Sequence, residues 1–188
     1  QRIDTFPDDM RTQASALLAR RDAVHQRIRE SAPEGMEMLK IRYHGDYHLG
    51  QVLLRQNDFI IIDFEGEPGR TLEDRRRKQS PLRDVASMLR SFSYAACATL
   101  SRMTSEWSED SALVEPLVRE WEAQVGRAFL QAYETHVRGS GIYSDWPQAR
   151  ELLKLFVIEK SFYELRYELN NRPSWLPVPL KGILDLVA

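Results

Sequence analysis

The sequence predicts a mainly helical α+β fold with one small β-hairpin, and three observations lead to this expectation. Most of the chain carries apolar residues at helical spacing, in stretches bounded by proline and glycine. One short segment in the first third is instead apolar on both sides of a polar turn, as a hairpin is. The 188 residues, 43% hydrophobic and 29% charged, suit one domain or one lobe of a larger domain.

Composition and charge argue against several classes of function. A formal net charge of −2 gives no reason to expect nucleic acid or a membrane surface as partner. No apolar run approaches the ~18 residues that a membrane span needs. The single cysteine, Cys97, cannot form an internal disulfide, which favours a reducing, cytoplasmic setting. The chain starts at Gln1 without a signal peptide, and it is expected to be cut from a longer polypeptide.

The first elements are expected to be a helix and a short strand. Pro7 and the two acids after it suit a first helical turn, where free N–H groups favour negative charge. A rough apolar stripe continues this helix over residues 7–31, and residues 32–35 are expected to end it. The alternating stretch 36–43 predicts a strand that leads into a polar loop.

The hairpin follows that loop. Apolar residues at 52–54, a polar turn at 56–58 and the apolar run 59–62 predict two antiparallel strands, the second of them buried. The segment 64–80 is polar, contains glycine and proline, and is expected to be irregular. Its basic run, 75–78, could meet phosphates but is more typical of a solvated surface.

The rest of the chain is expected to form helices. The first opens at Pro81, and the second covers about 111–137. The third starts near Asp145 and ends before Pro173. The tail, 175–188, is interrupted by proline and predicts one short helix. No internal repeat or long linker indicates a second domain.

Three oxygen-bearing side chains around the hairpin form the most informative pattern. Asp46 lies in the preceding loop, Gln51 follows five residues later, and Asp63 comes directly after the second strand. A hydroxyl that attacks a γ-phosphate needs a carboxylate to accept its proton, which is the role expected for Asp46. Carboxamide and carboxylate oxygens suit Mg²⁺, so Gln51 and Asp63 are the expected metal ligands. The five-residue spacing matches that between the catalytic Asp and the metal-binding Asn of protein kinases.

These residues allow two other interpretations. Acids are common in turns, and each acid taken singly favours that role, whereas three matches in one context favour phosphoryl transfer. His44, Asp46 and His48 alternate in an extended segment and could offer three zinc ligands. Such a hydrolase usually needs further histidines, and the remaining His25 and His136 lie in expected helices.

Two side chains are expected to support the loop. His44 is expected to hold it by hydrogen bonding. Asp84 lies one turn into a largely apolar helix face, where a buried acid must find donors. The backbone N–H groups of the loop are the expected source, so Asp84 is assigned a structural role.

Longer strings around these residues resemble the C-terminal lobe of the maltokinases. These are bacterial ATP-dependent kinases of the aminoglycoside-phosphotransferase-like superfamily, often fused behind trehalose synthase. The resemblance covers nearly the whole chain. It is carried by HGDYHLGQVL at 44–53, IDFEGEP at 62–68, RRRKQSPLRDVA and MLRSF within 75–92, and EK with YELRYELNNRP within 159–173.

The resemblance implies transfer of the γ-phosphate of ATP to the anomeric hydroxyl of maltose, giving maltose 1-phosphate for α-glucan and trehalose metabolism. Asp46 would be the catalytic base, and Gln51 and Asp63 would bind Mg²⁺. The acceptor sugar would lie against the helical lobe. The substrate-binding residues expected there are His48, Glu159, Tyr163, Arg166 and Tyr167. Ordinary helix packing with salt bridges is the alternative role for the last four.

A kinase of this kind also needs an N-terminal lobe, with a strand lysine and a glycine-containing loop over the phosphates. Lys40 is the only lysine before Asp46 and lies too close to it for that role. The chain is therefore expected to be a kinase-like C-terminal lobe that is inactive alone. The alternative is a non-catalytic docking module at the end of a trehalose synthase.

The resemblance divides that lobe, residues 1–188, into three parts. The catalytic loop is expected at 43–52, the metal-binding strand end at 59–65, and the helical subdomain at 80–188.

Overall fold

The computed structural model describes residues 6–31, 35–106 and 111–187, and it confirms a mainly helical α+β architecture. The helices of these ranges are α1 (Asp8–Ala19), α2 (Arg21–Glu30), α3 (Leu72–Arg76), α4 (Leu82–Glu106), α5 (Ser111–Val137), α6 (Trp146–Asn171) and α7 (Pro177–Leu186). The strands are β1 (Val52–Arg55) and β2 (Asp58–Ile61). Single 3₁₀ turns lie at Leu49–Gln51 and Pro173–Trp175. None of the described helices is long and apolar enough to cross a bilayer.

The core is formed where α4 packs between α5 and α6. α4 begins after Ser80, whose Oγ accepts a hydrogen bond from the Leu82 N–H at 3.2 Å and so satisfies a free donor of the first turn. Phe92 of α4 meets Phe129 of α5 edge to face, with ring centroids 5.8 Å apart. Burying one large apolar side chain contributes about 1.5–3 kcal/mol. The buried apolar residues between α4 and α6 are Leu82, Val85, Ala86, Ala149 and Leu153.

A second apolar cluster joins the two ends of the chain. Met10 and Ala14 of α1 pack against Leu176 and Leu180, at the start of α7. This contact covers one end of the bundle, on elements that do not carry the Asp46 motif. α1 therefore supports the fold rather than the candidate site.

The hairpin has the predicted position but not the predicted burial. Its register pairs Val52 with Ile61, and Gln56 and Asn57 form the two-residue turn with φ of 49° and 64°. Positive φ at both positions is typical of a type I′ hairpin turn. The expected buried strand is wrong, because all four residues of β2 are exposed. Both strands present apolar side chains to solvent, as Leu54 shows with 71% exposure.

The N-terminal predictions need two corrections. The single helix expected over 7–31 is two helices, because the backbone at Arg20 departs from helical values with φ −96° and ψ 15°. Val24 is the buried residue of α2. The strand expected over 36–43 is reduced to isolated bridges from Met38 to Tyr143 and from Ile41 to Gln79. Of the predicted helix end at 32–35, residues 32–34 lie outside the described residues.

Residues 64–80 are more ordered than expected, since they contain α3. Thr71 caps this short helix by accepting a hydrogen bond from the Asp74 N–H at 3.2 Å. The later helices lie close to their predicted positions. α5 covers the predicted range, and α6 and α7 occupy the predicted third helix and tail helix.

Candidate active site

Asp84 of α4 fixes the backbone of the motif loop, which we define as residues 43–48. Its Oδ2 accepts a hydrogen bond from the His44 N–H at 2.7 Å, and its Oδ1 accepts one from the Gly45 N–H at 2.9 Å. Gly45 has φ of 85°, a conformation that glycine adopts at low cost. Burial raises the pKa of the Asp84 carboxyl and outweighs the two hydrogen bonds, which act in the opposite direction. The helix thereby sets the path of the chain immediately before Asp46.

His44 connects the motif loop to the end of the hairpin. Its Nδ1 accepts a hydrogen bond from the Asp46 N–H at 3.3 Å, and its Nε2 lies 2.8 Å from the Ile62 carbonyl oxygen. With Nδ1 as acceptor, Nε2 carries the proton and donates to Ile62. Ile62 directly precedes Asp63, so one imidazole holds the backbone beside both acids. Phe64 packs against this ring with centroids 4.9 Å apart.

The alternative zinc site does not form. Both ring nitrogens of His44 are used within the loop. His48 Nδ1 accepts a hydrogen bond from the Gly50 N–H at 3.0 Å, and its Nε2 lies 3.8 Å from Asp46 Oδ2. Across the described parts of the chain, no three His, Cys, Asp or Glu side chains are grouped so that they could hold a metal ion.

Gln51 and Asp63 meet at the base of the hairpin. The Ile62 N–H donates to the Gln51 carbonyl at 3.0 Å, and the Gln51 side-chain amide donates to Asp63 Oδ2 at 2.9 Å. Asp63 has φ of 64°, which turns the chain sharply at the strand end and is uncommon outside glycine. The pair offers a carboxamide oxygen and a carboxylate at one place. Mg²⁺ commonly takes only one or two protein ligands beside phosphate and water oxygens, so these residues fit that ion.

A cleft of about 700 Å³ opens beside Asp46, and we call it the Asp46 cleft. Its walls come from the motif loop, the segment after Asp63, α4 and α6. The volume is within the range of small-molecule sites. The side chains that α6 contributes are Lys160, Tyr163, Glu164, Tyr167 and Glu168.

The predicted substrate-binding residues fall into two groups. His48, Tyr163 and Tyr167 line the Asp46 cleft. Glu159 lies outside it, in a smaller adjoining hollow, and its Oε1 accepts a hydrogen bond from Arg83 at 2.8 Å. Arg166 is exposed and lines neither space. The helical spacing that grouped these residues therefore spans more than one face of α6.

The sequence did not predict several charged residues of the cleft wall. Glu164 Oε2 accepts a hydrogen bond from Arg90 of α4 at 2.8 Å, although burial still raises the pKa of Glu164. Glu168 accepts two hydrogen bonds from Arg172, at 3.0 and 2.7 Å, and one from the Tyr94 hydroxyl at 3.0 Å. A signal was available, because tyrosine-glutamate pairs recur four residues apart at 163–164 and 167–168.

Glu67 is the other charged group that the sequence analysis missed. It lies between Asp63 and α3, is only 8% exposed, and lines the Asp46 cleft. Its Oε2 accepts a hydrogen bond from Arg70 Nε at 2.8 Å, and its Oε1 lies 3.8 Å from Lys160 Nζ. Lys160 also lies 4.9 Å above the centre of the Tyr163 ring.

Two curated relatives of this chain are described as glucosamine kinases. No protein-family model matches the chain. A glucosamine kinase of Streptacidiphilus jiangxiensis is 28% identical over 151 residues, which are 78% of this chain and 32% of that protein. A glucosamine kinase of Mycolicibacterium smegmatis (strain ATCC 700084 / mc(2)155) is 28% identical over 145 residues, covering 76% and 34%. The chain thus spans about a third of the length of these curated relatives.

Solved structures of the same description share the fold. A glucosamine kinase in complex with glucosamine, ADP and inorganic phosphate superimposes with a TM-score of 0.64 at 22% identity, over 94% of this chain and 45% of that one. A second crystal form of glucosamine kinase gives a TM-score of 0.63 over 94% and 46%. At this identity the likeness establishes the architecture, and this chain corresponds to somewhat less than half of those structures.

Proposed function

We propose that this chain is the catalytic and acceptor-binding lobe of an ATP-dependent sugar kinase, with maltose as the acceptor. The observation that carries the proposal is the joint placement of Asp46, Gln51 and Asp63. An acid sits in a loop fixed by α4, and the same histidine that holds this loop also holds the strand end bearing the oxygen pair. Phosphoryl transfer needs these parts: a group that orients the hydroxyl and oxygen ligands for a cation. The relatives, described as glucosamine kinases, support the same class of reaction.

In this mechanism the acceptor sugar occupies the Asp46 cleft. The oxygen of the anomeric hydroxyl bonds to the γ-phosphorus while Asp46 accepts the proton of that hydroxyl. The bond from the γ-phosphorus to the β,γ-bridging oxygen breaks, and ADP leaves. The products are maltose 1-phosphate and ADP. Gln51 and Asp63 would hold Mg²⁺, which when bound neutralises charge on the phosphates. The contacts from His44 and Asp84 keep Asp46 in place while the proton moves.

The charges of the Asp46 cleft favour an uncharged acceptor. Among the described residues, each carboxylate that lines the cleft, other than Asp46, already has a guanidinium partner. Lys160 adds a further positive charge. An amino sugar would bring an ammonium group that finds no unmatched carboxylate except the proposed base. The matched pairs are Glu67–Arg70, Glu164–Arg90 and Glu168–Arg172.

Glucosamine is the second candidate acceptor, because the relatives are described as glucosamine kinases. The two candidates are separated by incubating the full-length protein with ATP and either sugar, and identifying the phosphorylated product by phosphorus NMR. We expect maltose to be the better substrate. If glucosamine is phosphorylated faster, glucosamine replaces maltose as the proposed acceptor, and the sugar-kinase proposal stands.

We further propose that another lobe of the same polypeptide completes the ATP-binding site. The hairpin exposes apolar side chains beside the proposed metal ligands, with Phe59 70% exposed, and a two-stranded hairpin is at best marginally stable by itself. An additional lobe would cover this surface and supply the lysine that binds the phosphates. The alternative is a docking module for a trehalose synthase. Retention of Asp46, Gln51 and Asp63 together favours the kinase.

The Asp46→Asn variant of the full-length protein tests the assignment of the base. Asparagine keeps the size of the side chain but cannot accept the proton, so kcat for maltose phosphorylation should fall by about 10²–10⁴-fold, with a small change in KM for maltose. Coupled measurement of ADP release gives both constants. Asp22→Asn, on the exposed surface of α2, is the control and should match the wild type. Equal rates for Asp46→Asn and the wild type would contradict the catalytic role of Asp46.

A further inference from the structure

Glu67 is a buried acid that the proposed transfer step does not use. Among the residues that the structure describes, Glu67 forms no hydrogen bond or ion pair with Gln51 or Asp63. Its partners come instead from two places. Arg70 belongs to the same segment, while Lys160 belongs to α6 and also lies over the ring of Tyr163 on that helix. A charged carboxylate this far from solvent requires such partners.

The backbone around Glu67 packs directly on the motif loop. Gly66 has φ of 79°. A Cβ placed on Gly45 would lie 3.2 Å from the Gly66 Cα, so the two glycines let the segments approach closely. A Cβ on Gly66 would in turn lie 3.6 Å from the His44 carbonyl oxygen. Glu67 therefore extends from a segment seated on the motif loop to the helix that forms the far wall of the Asp46 cleft.

We propose that Glu67 is a positioning residue that holds Tyr163 and Lys160 in the wall of the Asp46 cleft and so sets the affinity for the acceptor sugar. This inference rests on the proposed function. In this proposal the Tyr163 hydroxyl donates its proton to Glu67 and presents its oxygen as an acceptor for a sugar hydroxyl. Lys160, held between the carboxylate and the Tyr163 ring, presents N–H donors. The two groups form one preorganised contact on the acceptor side.

The electrostatics agree with an ionised Glu67 at neutral pH. Burial acts to raise its pKa, but the hydrogen bonds from Arg70 and Tyr163 and the charges of Lys160 and Arg70 outweigh it and hold the pKa below its usual value. Burial, the hydrogen bond to Glu67 and the charge of Glu67 together raise the pKa of Tyr163 to about 12. The phenol is therefore a reporter of this contact that does not depend on catalysis.

The kinetic test compares Glu67→Gln, Tyr163→Phe and the double variant in the full-length protein. Glutamine preserves shape but removes the charge, so we expect KM for the acceptor sugar to rise by about tenfold while kcat and KM for ATP stay within about twofold. The double variant should show less than the product of the two single effects, because both remove one contact. Glu73→Gln, an exposed glutamate of α3 that pairs with Arg77, is the matched control and should leave all constants unchanged.

The second measurement follows the phenols by NMR in protein labelled at the tyrosine ζ carbon. The signal missing from Tyr163→Phe identifies Tyr163, and Glu67→Gln should lower its pKa from about 12. An unchanged Tyr163 titration, or equal losses in kcat and in both KM values, would overturn the positioning role. If no sugar is phosphorylated by the wild type, the proposed function fails, and the NMR titration still decides whether Glu67 holds Tyr163.

Discussion

At the scale of single residues, the candidate site depends on side chains whose hydrogen bonds hold the backbone in place. Asp84 uses both carboxylate oxygens to accept backbone N–H groups of the motif loop, at 2.7 and 2.9 Å. His44 also uses both ring nitrogens, since Nδ1 accepts from the Asp46 N–H and Nε2 donates to the Ile62 carbonyl. Such bidentate contacts fix a loop more firmly than a single hydrogen bond. The geometry of Asp46 is therefore set from α4 and from the hairpin at once.

Asp84→Asn should disturb this arrangement. Asparagine has one acceptor oxygen and an NH₂ group, so one N–H of the motif loop would face a donor in a buried place. We expect the free energy of unfolding to fall by about 1–3 kcal/mol and kcat to fall with it. Urea denaturation and steady-state kinetics of the full-length protein measure the two effects. Asp58→Asn is the control, since Asp58 accepts the N–H of Phe59 at 2.8 Å on the exposed hairpin. Equal unfolding energies for the two variants would contradict the proposed support.

At this scale the sequence predicted contacts between residues that are close in the chain, but not contacts between residues that are far apart in it. Gln51 and Asp63 are twelve residues apart, and a hairpin of known turn length places both at its base. Glu164 and Arg90 are 74 residues apart, and Tyr94 and Glu168 are equally far. No local pattern specifies such partners, because they depend on how α4 and α6 are packed. The charged pairs of the cleft wall are therefore the part of the candidate site that the sequence did not predict, whereas Tyr163 and Tyr167 of the same wall were expected from the resemblance.

At the scale of elements, Arg90 links three helices below the Asp46 cleft. It is only 4% exposed, donates to Glu164 of α6, and donates to the Val178 carbonyl of α7 at 3.3 Å. α7 can approach this guanidinium because Gly182 has no side chain. A Cβ at that position would lie 2.8 Å from Arg90 Cζ. The charge that balances Glu164 is thus held by the packing of α7.

Gly182→Ala should destabilise the protein although alanine is the better helix former. The added methyl group would displace Arg90 or α7, and overpacking of this kind costs about 1–3 kcal/mol. Gly126→Ala is the matched control, because its Cβ would meet only Leu89 Cδ2 at 3.7 Å. That variant, inside α5, should be more stable by about 0.5–1 kcal/mol. Urea denaturation measures both, and a stabilised Gly182→Ala variant would contradict the packing argument.

At the scale of the whole molecule, periodicity predicted the long helices and failed where burial depended on partners. The bounds of α5 and α6 could be estimated closely because Gly139 follows α5, and Pro147 and Pro173 mark the two ends of α6. The break at Arg20 has no proline or glycine to mark it. β2 reads as a buried strand because it is apolar, yet its side chains are exposed. An apolar sequence indicates that a surface is to be covered, not which part of a polypeptide covers it.

This chain is proposed to bind the acceptor sugar, and another lobe is proposed to bind the ATP phosphates. The 188-residue chain alone can therefore be tested for sugar binding without turnover. The described residues line the Asp46 cleft, while the groups that bind the ATP phosphates are proposed to lie elsewhere in the polypeptide. The isolated chain should therefore bind maltose with a Kd within about tenfold of that of the full-length protein, a difference of about 1.4 kcal/mol. It should show no maltose-dependent ADP release. Calorimetry measures the binding, cooperative urea unfolding verifies that the chain is folded, and the full-length protein is the positive control. ATP turnover by the isolated chain at the full-length rate would contradict the proposal, because phosphate positioning would then reside in the hairpin and the motif loop alone.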